Sequence, residues 1–433
     1  MVEWVQRNYS AQPSTLNPQP SMRILFVPFG SEGDVNPLFW LADGLVARGH
    51  EPVFLLSPHY GHHATRRGFA WVPMGEEEDF LHYARDPNMW HRLRGPAFVI
   101  RGMTETLPAY REAFAGAGRP IDLVVTSSFA LAASSLAEAA QIPRLTLHLQ
   151  PLCLQSVHDS PLYLPELAWV NHSPRWVKKL FQKGAELLFW QLARKPLNAF
   201  RASLGLLPIR HFYDEAIHGG EALAALFPAW FAPPQPDWPR QLRQFGFPLA
   251  ATTPQALPPE LERFLSDGPP PIVWTHGSAN FDIRHFQKRA LAASRELGQR
   301  CLLVSLEPPD ETLPPGARHV THVRFEDLFP RCAAAIHHGG IGTTSKAIAA
   351  AIPQLIIPRA HDQPDNAARI VRLGLGRTLS YSQLDTPALA RTLRQLLADP
   401  AIKPHCLHYQ ALLRSADPLP ALCDWAEALA RKA

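Results

Sequence analysis

Charge is scarce in this chain. Asp, Glu, Lys and Arg make up 18% of its 433 residues, against roughly 25% in an average soluble protein. Basic and acidic side chains nearly cancel, 42 against 38, for a net charge of +4. An excess that small excludes a surface built for nucleic acid, which needs a strong and clustered basic field. Cysteine is scarce too. The five residues Cys153, Cys301, Cys332, Cys406 and Cys423 form no CxxC pair, so zinc-ribbon and thioredoxin-type sites are excluded and reduced thiols in a cytoplasmic protein are expected. No apolar run reaches 18 residues, so no membrane-spanning helix is expected. Apolar residues still make up 46% of the chain, enough to form a core and to exclude a disordered protein.

Proline is the residue in excess, 44 of 433, about twice the usual roughly 5%. Twelve lie between Pro228 and Pro271. Proline neither continues a helix nor donates to a sheet ladder, so that stretch reads as a linker or surface segment. On either side of it, strand and helix patterns alternate. In the first half, 23–27, 52–57, 122–126 and 144–147 read as strands, with an Ala-rich helix over 130–140. In the second, 272–275, 301–305, 333–337 and 354–358 do, with a helix around 347–351. Alternation of this kind predicts an α/β chain of two doubly wound Rossmann-like domains. Residues 1–21 read as a disordered arm ahead of Met22, 22–248 as the first domain, 249–270 as a proline-rich linker, 271–416 as the second domain, and 417–433 as a terminal helix. The segment 169–206 reads as a long helix carrying Arg175, Lys178, Lys179, Lys183, Arg194 and Lys195 among Trp176, Leu187, Leu188 and Trp190. Two readings stand open for it: a basic amphipathic helix in peripheral contact with a membrane, or an ordinary solvated face over a packed apolar one.

Two glycine-rich loops follow strands and open helices, the place where doubly wound folds bind ligands. The first is Gly30-Ser31-Glu32-Gly33-Asp34-Val35-Asn36-Pro37. It is not GxGxxG, so a dinucleotide fingerprint is not supported. Asp34 reads as a catalytic carboxylate or as a helix cap, and Pro37 as a first-turn residue. The second is His337-His338-Gly339-Gly340-Ile341-Gly342-Thr343-Thr344. Glycines let backbone N–H groups approach an anion, and the helix N-terminus adds partial positive charge. That combination suits a diphosphate, a tight turn being the bland alternative. Downstream, Asp362-Gln363 offers a carboxylate and an amide for sugar hydroxyls, or a helix cap.

Together GSEGDVNP at Gly30–Pro37, HHGGIGTT at His337–Thr344 and AIPQLIIPRAHDQPDNA at Ala351–Ala367 resemble the inverting nucleotide-sugar glycosyltransferases of the GT-B fold, family 1. The resemblance covers nearly the whole chain from Met22. It implies two Rossmann-like domains facing each other across a cleft, with the acceptor on the first and the nucleotide-sugar on the second. It makes Asp34 the general base that draws the proton from the acceptor hydroxyl. Plant members use a histidine with an aspartate partner instead, and the partner position here is Ser127. His338 matches the histidine on the diphosphate, and the backbone of Gly339, Gly340, Gly342 and Thr343 matches its cradle. Gly277 and Ser278 match the loop meeting the phosphate from the other side. His322 falls where a base-stacking aromatic is common, with Val323 giving backbone contacts. Asp362 and Gln363 match the pair that holds the donor sugar. The resemblance implies no metal and no cofactor beyond the nucleotide-sugar co-substrate.

The stretch Leu226–Pro239 with Gly246-Phe247-Pro248 looks closest to rhamnosyltransferases of rhamnolipid biosynthesis. Lys346 stands where plant members carry a glutamate for the ribose hydroxyls, and an ammonium cannot accept those hydrogen bonds. Both features lean toward dTDP-L-rhamnose as donor and a lipid or other hydrophobic acceptor. The His337-His338 pair instead resembles sterol glucosyltransferases that use UDP-glucose. A non-catalytic nucleotide-sugar-binding partner protein is the alternative of another class.

Overall fold

The computed structural model describes residues 21–118, 120–249, 254–277 and 283–432. The arm expected over 1–21 therefore lies outside the described residues but for Ser21. Two wholly parallel sheets organise the chain. The first contains β1 (Arg23–Val27), β2 (Glu51–Leu56), β3 (Ala70–Pro73), β4 (Leu123–Ser127), β5 (Arg144–His148), β6 (Ala222–Ala225) and β7 (Leu242–Gln244), in the order β3-β2-β1-β4-β5-β6-β7. The second contains β8 (Ile272–Thr275), β9 (Cys301–Val304), β10 (Ala317–Val320), β11 (Ala334–His337), β12 (Gln354–Ile356) and β13 (Gly376–Thr378), in the order β10-β9-β8-β11-β12-β13. Strand order reverses between β1 and β4 in one sheet and between β8 and β11 in the other, so each domain has its own switch-point crevice.

Each sheet is covered on both faces, which is why its central strands read as unbroken apolar runs. All five residues of β4 are buried. Phe26, Phe39 and Phe54 pack on one face of the first sheet, with Phe26 and Phe54 stacked at 4.8 Å, while Leu25, Val53 and Val124 pack on the other. The terminal helix Leu419–Ala430 returns to this first domain. Leu422, Cys423 and Ala426 enter its core, and Arg48 reaches Asp424 at 2.6 Å and Glu427 at 3.0 Å. A Cβ at Gly44 would collide with Leu419 and Cys423, so that glycine permits the close approach.

Most prolines of the proline-rich stretch are exposed, as in a surface segment, but its aromatic residues are not. Phe227, Phe231 and Ala232 are fully buried, and Phe247 nearly so, in one cluster with Ile272, Trp274 and Ile336 of the second sheet. Within 249–270, the helix Pro259–Ser266 seats Leu261 and Leu265 in the second domain's core. Prolines stiffen the turns here while the aromatic residues between them point inward. The segment 169–206 is also not one helix. Ala168–Asn171 and Arg175–Ser203 are separate, broken ahead of Pro174, because the residue before a proline is pushed out of the helical region. No helix among the described residues is long and apolar enough to cross a membrane.

Candidate active site

The loop after β1 ends in a capping box. Ser31 caps the helix Glu32–Val46, and Asp34 occupies its third position rather than the cap itself. The Ser31 backbone N–H and hydroxyl both donate to Asp34 Oδ2, at 2.8 and 3.0 Å. One carboxylate oxygen is thus committed to holding the loop, which leaves Oδ1 as the end free for chemistry. Gly30 has φ +125°, and a Cβ there would strike the Asp34 carboxyl, so glycine is required for the carboxyl to fold back this far. Pro37 lies inside the helix, not in its first turn as expected. The carbonyl left without its N–H partner belongs to Gly33, which is exposed to solvent. Ser127, at the end of β4, accepts from the Phe29 N–H at 2.9 Å and pins the loop from the neighbouring strand. Burial pushes the Asp34 pKa up to about 6, against the two Ser31 hydrogen bonds that pull it down.

The second domain builds a different end on the same topology. His337, fully buried, accepts the Gly339 N–H on Nδ1 at 3.1 Å and meets Gln354 Oε1 through Nε2 at 3.0 Å. Both its nitrogens are therefore structural, and it turns the loop rather than meeting a ligand. His338 is the free partner. Its buried Nδ1 has no hydrogen bond, and burial, helped by His337 and His276, lowers its pKa to about 3. The ring is neutral at pH 7 and keeps one N–H donor. Gly277, at φ +82°, and Gly340 press against this ring so closely that a Cβ at either would overlap it. Gly340 caps the helix Ile341–Ala349. A Cβ at Gly342 would meet nothing within 4 Å, so the loop is open on that side. Thr344 and Ser345 turn their hydroxyls back to the carbonyls of Gly340 and Gly342, and Thr343 is half-buried. Ser278 lies outside the described residues. His322 is exposed, after β10. The Val323 side chain is buried with Leu328 and Phe329, which leaves its backbone for any ligand.

Asp362 precedes the helix Gln363–Arg372 but does not cap it with its side chain. Its Oδ2 accepts from Asn366 Nδ2 at 2.6 Å, and the Ile341 backbone N–H also holds its pKa down. Burial and, second, the charge of Asp34 raise that pKa to about 7. Asp34 and Asp362, on different domains, are therefore close enough to sense each other. Gln363 accepts the Arg359 N–H at 2.8 Å and the Ala360 N–H at 3.3 Å on Oε1, so its amide nitrogen is the end left to reach outward. Asn366 was not singled out by sequence. It bridges the Gly339 carbonyl and Asp362, and the i, i+4 spacing of Asp362 and Asn366 on one helical face was the available signal.

Ion pairs and hydrogen bonds close the cleft behind these groups. The buried Arg369 binds Asp365 at 2.8 Å within its helix and Asp159 of the first domain at 2.9 Å. Asp365 also accepts the Leu162 N–H at 3.0 Å. His361, held at φ +61°, pairs its Nε2 with the Met89 carbonyl at 2.9 Å. Among the described residues, no group of three His, Cys, Asp or Glu is placed to hold a metal ion.

Comparison with known proteins bears on the family and the fold. The family model for the erythromycin biosynthesis protein CIII-like C-terminal domain matches residues 304–422. O-mycaminosyltylonolide 6-deoxyallosyltransferase of Streptomyces fradiae is 31% identical over 88% of this chain and 91% of its own length. The chain belongs to the GT-B family 1 glycosyltransferases. Another relative of this glycosyltransferase, dTDP-epi-vancosaminyltransferase of Amycolatopsis orientalis, is 31% identical over 82% of this chain and 85% of its own. In solved structures, the calicheamicin glycosyltransferase CalG4 superposes with a TM-score of 0.70 at 20% identity, covering 96% of this chain and 99% of that one. The fold is therefore GT-B, and the protein is a glycosyltransferase of the antibiotic and natural-product type with a nucleotide-sugar donor.

Proposed function

We propose that this glycosyltransferase moves L-rhamnose from dTDP-L-rhamnose to a hydroxyl of a hydrophobic acceptor, a hydroxylated lipid in the first instance, with inversion at the anomeric carbon. The observation that carries the catalytic part is that the contacts of His361 with Met89 and of Arg369 with Asp159 set the Asp362 segment against the first domain, so that Asp34 and Asp362 face one cleft. The sugar lies between them, held on the donor side by Asp362 and Gln363. Asp34 accepts the acceptor hydroxyl proton as that oxygen attacks the anomeric carbon and the bond to the diphosphate oxygen breaks. A base near pKa 6 is mostly ionised at neutral pH and still basic enough to take the proton. The leaving diphosphate gathers negative charge beside the N–H groups opening the Ile341–Ala349 helix and the His338 N–H. These preorganised donors stabilise it as it forms, and we propose that they do so without a metal ion, so that EDTA leaves turnover unchanged.

The donor reading is supported by Lys346, which pairs with Glu326 at 3.1 Å. The Lys346 ammonium cannot accept from a ribose 2′-hydroxyl, which a deoxythymidine donor lacks. The relative named as a dTDP-epi-vancosaminyltransferase leans the same way. Of the His337-His338 pair that leans toward UDP-glucose, His337 is occupied structurally, whereas His338 is not and carries that alternative. Turnover measured with dTDP-L-rhamnose and with UDP-glucose, over lipid and polyphenol acceptors, tests the reading. Preference for the dTDP-sugar is expected; a clear preference for UDP-glucose overturns it.

A further inference from the structure

The helix Arg175–Ser203 turns the usual amphipathic arrangement outward. Its C-terminal half is anchored in the first domain, with Ala193, Leu197 and Phe200 buried. Its N-terminal half packs one face on the body, with Lys178 buried and Phe181 against Tyr163, and turns large apolar side chains of the other face into solvent. Trp176 is 70% exposed, Leu180 64%, Leu187 58% and Leu188 57%, and Trp169 on the preceding short helix is 57% exposed. Steps of four and seven place Trp176, Leu180 and Leu187 on one stripe. Arg175, Lys179 and Lys183 each precede that stripe by a residue or more and edge it with positive charge, and all three are exposed. Between Trp169 and Lys195 the sequence has six basic residues and one acidic residue, Glu186. Glu186 is already committed to the backbone N–H groups of Phe212 and Tyr213, at 2.5 and 2.9 Å. An exposed apolar stripe of this size calls for a covering surface, and the local charge requires that surface to be anionic.

We propose that this face docks the protein on an anionic lipid surface, with Trp176, Leu180, Leu187 and Leu188 entering the headgroup boundary and Arg175, Lys179 and Lys183 meeting the phosphates. The position fits a role in acceptor delivery. Phe181 of the same helix packs on Tyr163 at 5.9 Å. Tyr163 follows Leu162, whose N–H bonds Asp365 of the helix that begins beside Asp362. The docked face is thus two packed layers from the catalytic cleft, so an acceptor leaving the lipid has a short path to it. The inference goes beyond the transfer reaction, and vesicle binding is read without donor or acceptor.

The full-length protein is mixed with large vesicles of phosphatidylcholine alone or with about a third phosphatidylglycerol, and bound protein is measured by flotation. Anionic vesicles are expected to bind at least tenfold more tightly than neutral ones, with the difference shrinking as salt rises from about 0.1 M to 0.5 M. Replacing Arg175, Lys179 and Lys183 by Gln is expected to weaken binding roughly a hundredfold. Trp176→Glu with Leu187→Glu is expected to abolish it. Those positions are exposed, and unchanged dTDP binding confirms that each variant is folded. Equal or absent binding to both vesicle types overturns the proposal. So does a dimer in solution that Leu187→Glu dissociates while vesicle binding stays at zero, because the face would then be covered by a second copy.

Discussion

The loop after β1 and the loop after β11 occupy equivalent places, each at the carboxyl end of a strand beside its sheet's switch point, yet they are opposite in chemistry. The first presents a carboxylate, Asp34, folded back over its own helix N-terminus by Gly30 and Ser31. The second presents no charge of its own. It offers backbone N–H groups of the Ile341–Ala349 helix and the neutral ring of His338. One fold thus supplies a proton acceptor on one side of a cleft and an anion cradle on the other. In the first loop a carboxylate already occupies the helix terminus, so that end cannot also bind a phosphate. The second leaves its terminus open at Gly342. In the proposed division of labour, occupancy of the helix N-terminus, not the strand order, decides which half takes the acceptor and which the donor.

Four changes break or sharpen this contrast. The largest effect is expected from Asp34→Asn, which keeps an oxygen for Ser31 but loses the base. Turnover should fall by about 10²–10⁴ in a steady-state assay. His338→Ala should lower kcat by about 10² through loss of one donor on the leaving diphosphate, with loop structure retained because His337 holds the turn. Next is the pH profile. Asp34 must be ionised to accept a proton, so kcat/KM should fall about tenfold per unit below about pH 6, and the residual rate of Asp34→Asn should lose that limb. The smallest effect is on stability. Asp34 has a raised pKa in the folded protein, so the folded state holds a proton that the unfolded chain releases. Its contribution therefore declines as pH rises from about 4 through 6. Asp34→Asn should raise Tm by a few degrees at about pH 8 and leave it unchanged near pH 4, an effect on the order of 1–3 kcal/mol.

Much of this was legible from residues alone. Strands covered on both faces leave unbroken apolar runs, so β1, β4, β8 and β11 could be read within a residue or so of their ends. Both glycine loops could be placed on strand–helix junctions. The proline count marked a surface path but says nothing of the residues between the prolines. Phe227, Phe231 and Phe247 bury themselves in the second domain's core, which only the three-dimensional path reveals. Pro37 looked like a first-turn residue because Ser31, the true cap, lies six residues earlier. Of the site, Asp34 and His338 were visible by type and position. Their protonation was not, since it depends on burial, and the influence of Asp34 on Asp362 requires the two domains to be placed against each other. Asn366, Arg369 and Asp159 were missed for the same reason: each acts by joining segments distant in sequence.

The contrast between the two loops reduces to one separable question, whether Asp34 serves the acceptor alone. Calorimetric titration of the Asp34→Asn variant with dTDP, beside the parent protein, answers it most directly. If the second domain alone holds the nucleotide, the variant binds dTDP within about twofold of the parent, a difference under roughly 0.5 kcal/mol. A tenfold or greater loss of dTDP affinity would contradict the division of labour, because Asp34 would then belong to the donor site as well.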